Sequence, residues 1–356
     1  MKRVLFFGIF NPEYARTRIL TEGFTALGYE VVLCNVNPRV LPGARKYWAL
    51  FQQGRALRHT HFDYIFVLFP GHTVVWLARL LFGNRIIFDA FVSLFDSNMH
   101  DRALYSVHSF RAYYDRFFDW FSCTLARKVL VDTDAHCHYF IEHIGVSKKK
   151  LITVPVGAAT AWFLAGDKLQ IKKRDTNLLL VEFYGSYIPL HGVPIIVQAA
   201  HILAEENIQF RLIGSGQEYA AVRLLVEKLG GVPNIKFLHT MPREKLIENM
   251  READICLGIF GTTKKASRVV PNKVYECAAL GKPIITADTQ GIREVFTDQE
   301  NIFLVPQSSA QALAQAILEL AADKILRKRL GAVARRKMQK HYTPEHIVKQ
   351  MLQKLS

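Results

Sequence analysis

Cysteine is scarce and scattered. The five thiols (Cys34, Cys123, Cys137, Cys256 and Cys277) show neither paired nor C-x-x-C spacing, which argues against disulfides and structural zinc and suggests a reducing compartment. No long apolar run is present: the stretch from Thr73 to Phe82 contains Arg79 and is far too short to span a bilayer. The opening "MKRVLFFGIFNPEY" has a basic start, but its apolar run is brief, ends in Asn11-Pro12-Glu13 and lacks a small-residue cleavage site, so a buried first strand is expected. Zinc-finger spacing, RNP-type aromatics and Lys/Arg blocks longer than four are missing, and nucleic acid is not an expected partner. G-x-S-x-G, P-loop and H-E-x-x-H motifs, fixed-period repeats and low-complexity tracts are absent as well.

What is present is a chain of 356 residues, half of them hydrophobic, with 24 Phe and 13 Tyr. That composition excludes a disordered or fibrous protein, and the length suits two domains. The formal charge of +15 is unevenly spread. Residues 1–150 hold 19 Lys/Arg against 12 Asp/Glu, residues 151–300 hold 17 against 16, and residues 301–356 hold 10 against 3. A basic first half and tail suggest an anionic partner such as phosphate or acidic lipid, although solvated lysines would give the tail the same charge.

Short apolar runs alternate with helical periodicity. Strands are expected at Val4–Ile9, Glu30–Cys34, Tyr64–Leu68, Arg85–Phe88, Lys128–Val131 and Leu151–Val154. Helical patterns at Arg16–Leu27, His72–Leu81, Ala103–Leu125 and Ala135–Ile144 separate them. After a charged linker around Lys168–Asp175 the alternation restarts. Strands are expected at Leu178–Phe183, Phe210–Ile213, Ile235–Phe237, Ile255–Leu257, Pro283–Thr286 and Ile302–Val305. The helices of this half are expected at Val193–Leu203, Glu218–Leu229, Arg243–Met250, Lys273–Leu280 and Ala310–Lys340. The fold class is therefore α/β, with two Rossmann-like, doubly wound domains over 1–167 and 168–340. A C-terminal helix at about 341–356 is expected to pack back on the first. Ligands of such sheets bind beyond the carboxyl ends of the strands.

Several segments fall at those ends. In "FYGSYIPLHGVP", Gly185 allows a tight turn and Gly192 opens a helix whose amides can receive an anion; Ser186 and His191 add a hydroxyl and an imidazole. "RLIGSGQE" places Gly214 after a strand but lacks the third glycine of a dinucleotide fingerprint. In "RVVPNKVYECAALGKPII", Glu276 is the only acid of an otherwise apolar helix for which Asn272 is a plausible cap. Such an acid complements a helix dipole, but a carboxylate among apolar neighbours needs hydrogen-bond donors, and the vicinal hydroxyls of a ribose would supply two. Phosphates would then sit at the amides of Val270 and its neighbours, beside Arg268 or Lys273. The Asp132-Thr133-Asp134 spacing suits a metal–diphosphate site, yet between a strand and a helix these residues serve better as caps. His136, His138 and His143 do not share one helical face, and no metal site is expected. In the first half the strand-end candidates are Asp89, His72, Asp96 and His100, with Gly8 after the first strand and Arg16 opening the first helix.

Together these segments resemble glycosyltransferase family 4, of the two-domain GT-B fold. The resemblance rests on the opening "MKRVLFFGIFNPEYARTRILTEGFTALGYEVVLCN", on "VDTDAHCHYFIEHIGVSKKKLITVPVGAATAWF", on "FYGSYIPLHGV", and most on "PNKVYECAALGKPIITADTQGIREVF" followed by "NIFLVPQSSAQALAQAI". It implies two domains facing across a cleft and a nucleotide-sugar donor, UDP- or GDP-linked, held mainly by the second domain. Glu276 would hold the ribose. Gly185, Ser186, His191 and the amides of Val269 and Val270, with Asn272 and Lys273, would hold the diphosphate, and Gly214 and Met241 the base; Gly8 also falls on the donor side. The acceptor, a glycan or a lipid-linked glycan, would meet the first domain, where Arg16, His72, Asp96 and His100 are candidates. Transfer with retention, without metal or cofactor, is implied, with Asp89 and Arg268 as catalytic candidates. The family usually carries a second acid eight positions before Glu276, where this chain has Arg268, and a basic pair where it has Ser186 and His191. Same-fold alternatives are a nucleotide-sugar 2-epimerase and a non-catalytic nucleotide-sugar or phosphoglycan-binding subunit. A cytoplasmic protein of polysaccharide or glycoconjugate synthesis is expected, peripheral to an anionic inner membrane face.

Overall fold

A computed structural model describes residues 2–37, 40–167 and 178–355; the expected linker at 168–175 lies outside them. Two compact units emerge, Met1–Ala159 with Tyr342–Ser356, and Thr160–His341.

In the first unit, β1 (Lys2–Gly8), β2 (Tyr29–Asn35), β3 (Tyr64–Val67), β4 (Ile86–Phe91), β5 (Lys128–Val131) and β6 (Leu151–Thr153) form one parallel sheet in the order β2-β1-β3-β4-β5-β6. The connections carry α1 (Ala15–Ala26), α2 (Arg45–Leu57), α3 (Val75–Phe82), α4 (Phe110–Leu125) and α5 (Asp134–Tyr139). Central strands such as β3 and β4 are buried along almost their whole length, which is why they read as continuous apolar runs. Asp89 is not at the end of its strand, as expected, but inside β4, which continues past an irregularity to Phe91. The expected helix over Ala103–Leu125 begins only at Phe110, because the Ser109 hydroxyl accepts from the Ala112 amide and caps it there.

A buried polar cluster lies under α4. The Asp119 carboxylate accepts from the Ser93 hydroxyl (2.6 Å) and from the amides of Leu94 (2.8 Å) and Phe95 (3.0 Å). Burial nevertheless pushes its carboxyl up to about 7. His72 lies 3.4 Å from it, but burial pushes that imidazole down to about 3, so the pair is not an ion pair at neutral pH. Because the folded carboxyl titrates near 7 and the unfolded one near 3.9, the folded state holds the extra proton between those values. Asp119 therefore makes stability fall as pH rises from about 4 to about 7. His72, neutral when folded, has the opposite effect over much of that window, so the Asp119 contribution is read as a difference: thermal melts will show the stability of Asp119→Asn relative to the native chain rising from about pH 4 to about pH 7, and a constant difference would contradict this.

The second unit opens with α6 (Thr160–Asp167). Its strands are β7 (Leu179–Tyr184), β8 (Ile208–Ile213), β9 (Ile235–Leu238), β10 (Ile255–Leu257), β11 (Ile284–Ala287) and β12 (Phe303–Val305), again parallel, in the order β12-β11-β10-β7-β8-β9. Its helices are α7 (Val193–Ile202), α8 (Tyr219–Lys228), α9 (Arg243–Glu252), α10 (Asn272–Ala279), α11 (Gln290–Arg293), α12 (Ala310–Ala322) and α13 (Lys324–His341). The single helix expected over Ala310–Lys340 is broken at Asp323, whose extended backbone ends α12 and whose carboxylate accepts from the Leu326 amide (2.8 Å) to start α13. Inside the sheet, Glu182 and Arg211 are register partners on β7 and β8 and form a buried ion pair.

The chain then returns to the first unit with α14 (Pro344–Leu355), which packs on α1. The helices touch at backbone distance: a Cβ on Gly23 would lie 2.2 Å from the Pro344 carbonyl oxygen.

Candidate functional site

The strand order of the second unit reverses direction between β7 and β10, and the chain leaves both strands at the same end of the sheet. That switch point opens a crevice, the place where parallel α/β sheets take ligands. The residues after β7 and those opening α10 meet there.

Gly185 and Gly214 shape it. Gly185 follows β7 with φ +149°, and Gly214 follows β8 with φ +140°, both outside the range of most side chains. A Cβ on Gly214 would lie 2.0 Å from the Gly185 carbonyl oxygen, so only glycine allows the two turns to touch. The turns are joined by bonds from the Gly185 amide to Ile213 O (3.0 Å) and from the Tyr187 amide to Ser215 O (2.9 Å).

A Cβ placed on Gly185 would lie 2.8 Å from Lys273 Nζ and 2.9 Å from His191 Cε1, so a lysine and an imidazole both crowd this backbone position. His191 Nδ1 donates to the Ser186 carbonyl oxygen, which turns the ring inward, while the Ser186 side chain is exposed. Lys273 is buried, its Nζ 3.9 Å from the centre of the Phe183 ring and without a hydrogen-bond partner among the described residues. Burial lowers its pKa well below the ordinary lysine value, against the opposing pull of Cys277 and Glu276.

Glu276 shares a helix face with Lys273 at i, i+3. It is half-buried and accepts a hydrogen bond from the Tyr184 hydroxyl. The burial argument from sequence left the carboxylate without a donor inside the chain; the structure supplies one at the end of β7. Burial, and then the Glu276 charge, hold the Tyr184 hydroxyl protonated well above its usual range, so it remains a donor. Trp162 of α6 stacks on Tyr184 with ring centres 6.1 Å apart and planes 17° apart. Neither Tyr184 nor Trp162 stood out in the sequence; only the "FYGS" turn hinted at the first.

Asn272 is the first residue of α10 rather than its cap. Pro271 occupies the cap position, with no side-chain bond to the helix amides. Val269 and Val270 are buried just before it, and Arg268 is half-buried. This segment is fixed by Gly291 of α11, whose amide donates to Ser267 O (2.9 Å) and whose missing Cβ leaves room for the Arg268 carbonyl. Met241 follows β9 and accepts from Asn249 Nδ2 (3.5 Å).

The first-unit candidates form separate groups. Gly8 ends β1 with φ +146°. Arg16 and Asp89 are buried together: Arg16 Nε donates to both Asp89 oxygens (2.8 and 2.9 Å) and Nη1 to the Val154 carbonyl (2.9 Å). Burial raises the Asp89 pKa, opposed by Arg16. His100 Nδ1 lies 3.1 Å from the buried Asp96, and His72 faces Asp119. Thr133 caps α5, Asp132 pairs with His136 Nδ1, and Asp134 accepts from the Thr153 hydroxyl, so each residue of the D-x-D has a structural partner. Among the described residues no group of three or more His, Cys, Asp or Glu is placed to hold a metal ion.

Two Rossmann-like units, the second with an anion-ready crevice at its switch point, define the GT-B class of two-domain proteins. Residues 167–337 match the family described as glycosyl transferases group 1. It is similar to a D-inositol 3-phosphate glycosyltransferase of Kribbella flavida, 24% identical over 224 residues, which are 59% of this chain and 51% of that protein. It is also similar to a phosphatidyl-myo-inositol mannosyltransferase of Mycobacterium leprae, 30% identical over 157 residues, 43% of this chain and 40% of that one. The chain thus spans about half the length, or less, of these curated relatives. HepE of Anabaena, solved in complex with UDP-glucose, shares the fold over 100% of this chain and 99% of its own, with a TM-score of 0.70 and 17% identity.

Proposed function

We propose that this chain transfers a sugar, with retention and without metal, from a nucleotide-diphosphate sugar to a glycan or lipid-linked acceptor in cell-surface polysaccharide or glycoconjugate synthesis. The observation that carries this reading is the meeting of Lys273, Gly185 and Glu276 at the switch point of the second unit. The Glu276 oxygens would take the ribose hydroxyls, with Tyr184 holding the carboxylate in place. The diphosphate would lie on the amides after β7 and at the start of α10, beside Lys273. As the bond from the anomeric carbon to the phosphate oxygen breaks, charge grows on that oxygen; the diphosphate beside Lys273 favours its charged form, and that ammonium with the amide dipoles would stabilise the leaving oxygen. HepE, crystallised with UDP-glucose, supports a nucleotide-sugar donor, and the names of the curated relatives support a polyol or lipid-linked acceptor. A cytoplasmic position, peripheral on an anionic inner membrane face, fits the basic first half, and no helix among the described residues is long and apolar enough to cross a membrane.

A thermal-shift screen of UDP-, GDP- and other nucleotide sugars tests the donor, since a bound ligand stabilises the fold by mass action. Against the donor so found, Glu276→Ala will bind at least tenfold more weakly, about 1.4 kcal/mol, by titration calorimetry on folded protein. Unchanged affinity would remove the ribose assignment. Nucleotide diphosphate should be released only when acceptor is added.

A further inference from the structure

Helix α4 is polarised in the reverse of the usual sense. Its two acids, Asp115 and Asp119, are buried, while Phe110 (84% exposed), Tyr113 (61%), Phe117 (49%) and Trp120 (49%) face outward. These four lie at i, i+3, i+7 and i+10 and make one stripe along the helix. Surface helices of water-soluble domains place such a stripe inward, so these aromatics are not explained by the core of the unit. Arg111 and Arg116 are exposed on the same helix, which exposes no acid. A cleft of about 380 Å³ beside the stripe is lined by Tyr113, Arg116, Phe117, Trp120, His143 and Ile144. Lys150 donates to the carbonyls of Cys123 (3.3 Å) and Thr124 (2.7 Å), which brings the Lys148–Lys150 turn to the C-terminal end of α4. Lys148 and Lys149 are exposed there, with Glu142 the exposed acid of the neighbouring turn.

We infer that this face of α4 docks the first unit on an anionic lipid surface, the aromatic rings entering the headgroup layer and the cations pairing with lipid phosphates. Amphipathic rings are favoured at that boundary, and long basic side chains reach from it to the phosphates. A second copy of the chain would bring Arg111 and Arg116 against their own kind, a like-charge contact that an anionic bilayer replaces with an attractive one. The inference rests on the membrane-peripheral part of the reading above and names the surface that performs it.

Flotation of the full chain with vesicles of phosphatidylcholine, alone or mixed with phosphatidylglycerol, tests it. The native chain should float with the anionic vesicles and lose them as salt rises. Phe117→Ser with Trp120→Ser should lower the bound fraction about tenfold or more, and Arg111→Ser with Arg116→Ser by a similar factor with weaker salt dependence. All variants should keep the donor-induced thermal shift of the native chain, which shows that they are folded. Native-like flotation of the aromatic variant would overturn α4 as the docking face while leaving membrane association intact. A native chain that floats with neither vesicle would overturn both, without touching the donor reading. Self-association in the absence of lipid, lost in the aromatic variant, would assign the face to a second copy instead.

Discussion

Lys273→Met will make the protein more resistant to heat and nearly inactive. The amine is buried beside the Phe183 ring, has no hydrogen-bond partner among the described residues and has its pKa lowered by burial, so the folded chain carries the cost of desolvating it. Methionine matches the length of the side chain and removes the amine, so the fold should gain stability. The same amine lies within reach of a phosphate seated over Gly185. If it stabilises the departing diphosphate, its loss should lower kcat by roughly 10²–10³, the cost of removing one preorganised group. Melting curves and steady-state rates with the donor from the nucleotide-sugar screen check both halves. A variant within threefold of native kcat would take Lys273 out of the chemistry, and a lower melting temperature would show that its burial is compensated within the chain.

That combination explains which parts of the site the sequence could disclose. The glycines after β7 and β8 were visible because a strand followed at once by glycine marks a backbone turn, and contact between the turns requires both residues. Glu276 was visible as a single acid in an apolar helix. Its partner was not, because Tyr184 lies 92 residues earlier and meets it only once β7 and α10 flank the switch point. The strands were legible as apolar runs because parallel sheets bury both faces. Helix α2 was not among the expected helices, and of its residues only Leu50 and Gly54 are fully buried. The reversal of α4 was hidden by the opposite difficulty: a helix with aromatics on one face reads the same whether that face turns inward or outward. Only its packing decides, and there it is the carboxylate of Asp119, with its three donors, that faces in.

Asp89 poses the remaining question about the reaction, and the Arg16 pair allows it to be settled. Arg16→Met alone should destabilise the protein by about 3–5 kcal/mol, because it leaves a buried carboxylate without its counter-charge. The Val154 carbonyl loses its Nη1 donor as well. Replacing both partners, Arg16→Met with Asp89→Leu, removes the uncompensated charge, and exchanges of this kind are often neutral or stabilising. Denaturant unfolding should therefore place the double variant near the native chain and the single variant well below it. The folded double variant then separates two roles. If Asp89 serves only to hold Arg16 between β4 and the Val154 carbonyl, the double variant turns over donor and acceptor at close to the native rate. If its carboxylate touches the reacting sugar, that variant is stable, binds donor and is inactive. The geometry favours the first result, since both carboxylate oxygens accept from Arg16 and the side chain is 1% exposed.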